Sequence, residues 1–225
     1  MVIEELFPRS CSPSWAVSES FGDAAGPQWL FPEEEFLVAE AVPERRREFA
    51  DVRACARSAL ARLGREPVPI LRGERGAPVW PEAVVGSMTH CPGYRGAVVA
   101  GSDTFLSVGL DAEPNQPLGD SGVLARVMDA DERRSLPGLS ASRPDICWDR
   151  LVFSAKESVY KAWYPLTGRW LGFDQALVTV DVPARTFFAR FLVPGPVAGG
   201  TVLTGFHGSW TVCRGLLFTA VSVHR

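Results

Sequence analysis

The chain has 225 residues, 46% of them hydrophobic and 22% charged, with a formal net charge of −3 and a pI near 5.7. That is enough chain for one sizeable core or two small ones, and the mild acidity excludes a general nucleic-acid binder, whose phosphate affinity needs a basic surface. No run of about eighteen apolar residues marks a membrane span, and Met-Val-Ile-Glu-Glu-Leu-Phe-Pro carries acids where a secretory signal carries bases; no membrane partner and a cytoplasmic location are expected.

The first thirty or so residues, rich in Pro, Ser, Gly and aromatics without a period, read as an irregular lead-in that packs. From Pro43 to Leu63, Phe49, Val52, Ala56, Ala59, Leu60 and Leu63 follow the helical period, with Pro43 suited to a first turn and Gly64 to a stop. Arg46, Arg53 and Arg57 share one stripe of this helix, ordinarily a solvated face. The turn Leu71-Arg72-Gly73-Glu74-Arg75-Gly76-Ala77-Pro78 offers backbone amides and guanidiniums that suit phosphate.

Val84–His90, Tyr94–Ala100 and Phe105–Ala112 then read as an antiparallel meander punctuated by Cys-Pro-Gly and Gly-Ser-Asp. In the first of these, Ser87, Thr89 and His90 gather polar groups at a strand end. Alternation along the third places Leu106, Val108, Leu110 and Ala112 on one face and Ser107, Gly109, Asp111 and Glu113 on the other. Carboxylates two residues apart at a strand end are oxygen ligands for a hard cation such as Mg²⁺; a solvated strand end is the plainer alternative.

A second helix is expected over Asp149–Tyr164, with apolar Val152, Ala155, Val159, Ala162 and Trp163. Against twenty-one arginines the chain has two lysines, Lys156 and Lys161, both in this helix beside Glu157. Arginine and lysine are not interchangeable, so compact ammonium charges at two nearby places point to a site. A surface Glu157–Lys161 pair would contribute only a few tenths of a kcal/mol. The aromatic stretch Trp163–Phe173 either packs the halves together or receives a partner helix. Strands follow over Leu177–Val182, Phe187–Val193, Trp210–Cys213 and Leu216–Val223.

Helix followed by antiparallel strands thus occurs twice. The expected fold is α+β, with two pseudo-symmetric halves, 1–105 and 106–225, each a helix on an antiparallel sheet, and the site in the cleft between them. No residue-level repeat is visible. The five cysteines, at 11, 55, 91, 147 and 213, lack metal or redox spacing and read as free thiols. His90 and Cys91 are strand neighbours that point apart, which argues against a nucleophile–base pair.

Gly-Ser-Met-Thr-His-Cys (86–91), Val-Gly-Leu-Asp-Ala-Glu-Pro (108–114) and Phe-Ser-Ala-Lys-Glu-Ser-Val-Tyr-Lys-Ala-Trp (153–163) occur in an order and spacing that resembles the larger, surfactin-synthetase type of 4′-phosphopantetheinyl transferase, especially its actinobacterial members. The resemblance, from about Arg45 to the last strands, implies an enzyme that binds coenzyme A and Mg²⁺, with Mn²⁺ an alternative, and moves phosphopantetheine onto a carrier-protein serine, releasing adenosine 3′,5′-bisphosphate. It implies that Asp111, Glu113, Glu157 and the Ala112 carbonyl hold the metal. Arg53 and one of Arg45–Arg47, Arg45 foremost, would meet nucleotide phosphates; Arg72, Gly73, Glu74 and Arg75 would line the adenine and phosphate side; Thr89 and His90 would reach the 3′-phosphate. The family often has lysine where Arg72 and Arg75 stand.

On this reading Glu157 is the general base, Lys161 stabilises the pyrophosphate, and Lys156 shares that work or binds the coenzyme, as Asp111 and Glu157 do through the metal. Acyl, peptidyl and aryl carrier domains of polyketide, nonribosomal-peptide, siderophore and fatty-acid synthesis all remain possible partners. Two halves in one chain suit a monomer. The competing readings are a coenzyme A or carrier-binding protein without catalysis, and a metal-dependent pyrophosphate hydrolase.

Overall fold

The computed structural model describes residues 1–7, 14–22, 29–119 and 121–225; Cys11 and much of the lead-in lie outside them. The first half contains strand β1 (Trp15–Phe21), the short helix α1 (Pro32–Phe36), the long helix α2 (Pro43–Arg62) and strands β2 (Val84–Cys91) and β3 (Tyr94–Gly101). Pro43 opens α2 at its first turn, where the missing amide costs nothing, and Gly64, at φ 73, ends it. The three strands form an antiparallel sheet in the order β1-β3-β2.

The second half begins with β4 (Phe105–Pro114). Helices α3 (Ser121–Val127), α4 (Ala130–Ser142) and α5 (Trp148–Thr167) follow, then β5 (Ala176–Asp181), β6 (Thr186–Phe191), the small pair β7 (Val197–Ala198) and β8 (Thr201–Val202), β9 (Gly205–Cys213) and β10 (Leu216–His224). Its main sheet has the order β4-β10-β9-β6-β5, each neighbouring pair antiparallel. The triplet β4-β10-β9 repeats the order of β1-β3-β2, and β6 and β5 extend it. The α+β fold of two similar halves is therefore observed.

Three apolar clusters account for the layering. Ala16, Ala97 and Val99 pack beneath Ala56, Ala59 and Leu60 of α2. Leu217, Val221 and Val223 pack beneath Leu151, Ala155 and Val159 of α5. The third cluster joins the opposite faces of both sheets: Val17, Val98 and Ala100 meet Val108, Leu110, Phe218 and Ala220, with Ile3 and Leu6 of the N-terminal turn. The halves thus share a core.

Between the sheets, β2 and β4 run edge to edge without a backbone ladder. Side chains of β2 supply the acceptors instead: the Leu110 N–H donates to Ser87 Oγ at 3.0 Å and the Ala112 N–H to Thr89 Oγ1 at 3.1 Å. These buried amides would otherwise be unpaired, at a cost of about 1–3 kcal/mol each. Both long helices flank this seam.

Two expectations are corrected. The lead-in is not irregular throughout, because Trp15–Phe21 is the edge strand β1. Ala16 packs towards α2 and Val17 towards the shared core, so burial on both faces erases alternation. Nor is the arginine stripe of α2 solvated beyond Arg46, which is exposed, since Arg53 and Arg57 are buried and paired with Glu34. Among the described residues no helix is long and apolar enough to cross a membrane.

Candidate active site

A cavity of about 400 Å³ opens over the seam, with α2 on one side and α5 on the other. Arg45, Arg53, Arg72 and Arg75 line the first wall, Glu157, Tyr160 and Lys161 the second, and Ser87, Met88 and His90 the floor. Charge on the arginine wall is poorly balanced. Burial pushes Arg53 down to about 10, Glu34 opposes this, and neighbouring Arg72, Arg57 and Arg45 add to it. Guanidiniums this crowded favour an anion.

Arg45 donates to His90 Nε2 at 2.9 Å and to Glu48 Oε2 at 3.1 Å. Because Nε2 accepts there, the His90 ring is neutral with its proton on Nδ1. Burial holds its pKa below the usual 6.5; Glu48 raises it, while Arg45 and Lys161 lower it. Of the adjacent arginines, Arg46 turns away to Glu35. In the turn, Arg75 adopts φ 53 and Gly73 donates its N–H to the Ala77 carbonyl. Arg72, Arg75, Gly76, Ala77 and Pro78 reach the cavity, whereas Gly73 and Glu74 shape the turn behind it.

On the opposite wall, Gly109 decides how close α5 can come. A Cβ there would overlap the carbonyl oxygen of Ser158 and lie 2.9 Å from the Ala162 nitrogen. Close approach brings Lys161 across to β4, where Nζ donates to Asp111 Oδ1 at 2.8 Å and to the Leu110 carbonyl at 3.0 Å. The ammonium thus pairs with Asp111 in the strand rather than forming a surface pair with Glu157. Glu157 takes no hydrogen bond among the described residues. Burial and the nearby Asp111 carboxylate raise its pKa, Lys161 lowers it, and Glu113 raises it further.

Glu113 is also raised, first by burial and then by Asp111, against Arg150, whose guanidinium donates to its Oε2 at 3.0 Å. Asp111 Oδ2 is buried without a partner among the described residues. Three carboxylates that repel one another, with one orphaned oxygen, match the donor chemistry of a hard cation. As they stand, no three such side chains among the described residues form a closed cage: Lys161 and Arg150 hold two of the acids.

Two site expectations are corrected. Lys156 does not line this cavity: it is 3% exposed, and Nζ donates to Glu132 Oε2 at 2.7 Å and to the carbonyls of Val127 and Phe173. Burial lowers its pKa, and Glu132 opposes this. Thr89 is likewise buried and does not line the cavity: it donates to Asp111 Oδ1 at 3.4 Å and accepts from Ala112, and so sutures the sheets. Cys91 is no nucleophile, because burial, then Glu113 and Asp111, push its thiol up to about 12.

In the aromatic stretch, Trp163 is buried in the second half. Trp170, 59% exposed, packs tilted against Tyr160 with ring centres 4.8 Å apart and lies 5.9 Å from the Arg75 guanidinium of the other half. The apolar lining of Phe49, Val52, Trp80 and Tyr164 had no separate sequence signal.

Comparison with known proteins fixes the class as a transferase enzyme. The profile of the 4′-phosphopantetheinyl transferase N-terminal domain matches residues 33–100, and that of the 4′-phosphopantetheinyl transferase superfamily matches residues 107–198. The chain is 60% identical over 214 residues to 4′-phosphopantetheinyl transferase Svp of Streptomyces mobaraensis, covering 94% of this chain and 87% of that protein. It is 44% identical over 224 residues to 4′-phosphopantetheinyl transferase PptT of Mycobacterium tuberculosis, covering 98% and 97%. A more distant relative, enterobactin synthase component D of Salmonella typhi, is 35% identical over 137 residues, 60% of this chain and 55% of that protein. The chain belongs to the 4′-phosphopantetheinyl transferase family.

Proposed function

We propose that this enzyme transfers the phosphopantetheine of coenzyme A to a serine of an apo carrier protein and releases adenosine 3′,5′-bisphosphate. One observation carries this reading: the arginine wall of α2 and the 72–78 turn faces Glu157 and Lys161 across a single cavity. A nucleotide held by the first wall brings its pyrophosphate to the second. The division near residue 105 then separates a coenzyme side from an acid side.

In the reaction the serine oxygen forms a bond to the β-phosphorus, the phosphorus–oxygen bond to the nucleotide breaks, and the electron pair leaves on the bisphosphate. Glu157 takes the serine proton. Burial and Asp111 raise its pKa and so make the carboxylate more basic, and its lining of the cavity close to Asp111 supports this role. Lys161 offers a compact positive charge to the pyrophosphate oxygens. Asp111, Glu113, Glu157 and the Ala112 carbonyl would hold Mg²⁺, which supplies charge neutralisation of the pyrophosphate. Arg45, Arg53, Arg72 and Arg75 bind and orient the nucleotide, and His90 meets its 3′-phosphate.

Intact-protein mass spectrometry of a panel of apo carriers with coenzyme A and Mg²⁺ should show a gain of one phosphopantetheine that chelator removes. Coenzyme A cleaved without a gain on any carrier would favour a hydrolase, and coenzyme A bound but intact a binding protein.

His90 gives a separate expectation. In the free protein the unfolded chain takes the proton near 6.5 and the folded ring only at lower pH, so this residue's contribution to stability is present above 6.5 and is lost as pH falls below it through the folded pKa. A 3′-phosphate beside the ring reverses the preference. Calorimetry at pH 7 in buffers of different ionisation enthalpy should therefore record proton uptake with coenzyme A and less with dephospho-coenzyme A, and none in His90→Ala. Equal uptake for both ligands would remove His90 from the 3′-phosphate.

A further inference from the structure

Two buried glutamates, neither of them facing the cavity, are built alike. Glu34 is fully buried and Glu132 is 2% exposed. Each is the third residue of a helix that precedes a long helix, α1 before α2 and α4 before α5. Each uses Oε2 to accept its own helix-cap amide, Phe31 N–H at 3.0 Å and Asp129 N–H at 2.7 Å. The same oxygen receives a cation from the long helix, Arg57 at 2.9 Å and Lys156 at 2.7 Å.

In each half that cation also donates to the carbonyl two residues before the cap, Trp29 at 2.6 Å and Val127 at 2.9 Å. Each Oε1 accepts a distant amide at the entry to the segment beyond the long helix, Ile70 N–H at 2.8 Å and Val178 N–H at 2.7 Å. The residue-level repeat that the linear sequence hides is present in this pair of clamps.

What each clamp touches differs. Glu34 pins Ile70, the start of the turn that carries Arg72 and Arg75, and lies 3.7 Å from Arg53 Nε. Every element of the arginine wall except Arg45 is thus tied to one carboxylate. Glu132 instead holds Lys156, the residue before Glu157, and so fixes the rotation of α5 about its axis at the turn that carries the base. Resting on the function proposed above, we propose that Glu34 and Glu132 are paired positioning residues, Glu34 setting coenzyme affinity and Glu132 setting the rate of transfer.

Glutamine is the informative substitution. It preserves shape and can still accept from Ile70 or Val178, but its amide NH₂ would face the cap N–H and the cation, two donors against a donor. For Glu34→Gln, calorimetry should show the coenzyme A Kd raised about tenfold, a difference of the size one lost contact makes, with kcat at saturating coenzyme nearly unchanged. For Glu132→Gln, kcat should fall about ten- to hundredfold, the range expected when a reacting group is slightly misplaced, with the Kd nearly unchanged.

Circular dichroism checks folding; if either variant fails to fold, Arg57→Gln and Lys156→Gln break the same clamps from the other side and should divide in the same way. Both constants moving together in both variants, or neither moving, would overturn the proposal. So would tighter coenzyme binding in Glu34→Gln, which would make Glu34 merely a repelling charge. A wild-type protein that loads no carrier would instead sink the transferase reading and the rate half with it, while the affinity half would still be decided by calorimetry.

Discussion

Glu157→Gln is expected to lower phosphopantetheine transfer by about 10²- to 10⁴-fold, the usual contribution of a general base, while changing coenzyme A affinity far less. Glutamine keeps the volume of the side chain and removes its charge, and with it both the ability to take a proton and one carboxylate of the proposed metal set. The cavity walls that meet the nucleotide are contributed by α2, the 72–78 turn and β2, and the substitution leaves all of them in place. Removing the charge also relieves the repulsion that Asp111 exerts on Glu157, so the folded protein should be no less stable. Rapid-quench loading of a carrier with saturating coenzyme A, alongside a coenzyme titration by calorimetry, measures both quantities. Turnover within about tenfold of the original would remove Glu157 as the base.

Gly109→Ala is expected to be among the most damaging single methyl additions in the fold. The added carbon would meet backbone on the α5 side, the carbonyl of Ser158 and the nitrogen of Ala162, and no flexible side chain can yield. Helix α5 is also tied down behind the contact, with Ser154 and Thr219 sharing hydroxyl hydrogen bonds to β10. Overpacking usually costs about 1–3 kcal/mol, and a backbone collision belongs at or beyond the top of that range. For a chain of this length about 3 kcal/mol lowers Tm by roughly 10 °C. Activity of the surviving folded fraction should fall as well, because Lys161 reaches Asp111 only when α5 sits close to β4. A Tm within about 2 °C of the original would show that α5 can shift freely.

The long helices and strands were legible because one face of each is apolar at the right period; Pro43 and Gly64 bound α2 within a residue or so of the expected ends. Asp111 with Glu113, and Glu157 with Lys161, were legible as two pairs from strand alternation and helical spacing; that the pairs belong together followed only from the family resemblance. Strand β1 was not, because a strand covered on both faces loses its period. Lys156 was misplaced for a different reason. Spacing says which face of a helix a residue occupies but not what lies opposite, and here Glu132 of α4 lies opposite.

Glu132 itself left a trace, since Asp129-Ala130-Asp131-Glu132 has the acid-x-x-Glu form of a helix cap. Glu34 left none, because Phe31 stands at its cap. Thr89 matched an expected position by spacing, yet its hydroxyl is taken by the neighbouring strand. That contact spans β2 and β4, so no local pattern reports it.

The contact between β2 and β4 has one more consequence. An ordinary sheet is joined by peptide groups, which every residue except proline supplies alike, so its ladder of hydrogen bonds survives most substitutions. Here the joint is written in the oxygens of Ser87 and Thr89, and Ser87→Ala or Thr89→Val erases one of its two links without altering a strand. Two codons therefore tune the hydrogen bonds that join the coenzyme side to the acid side above their shared core, an adjustment that a carbonyl ladder withholds from selection.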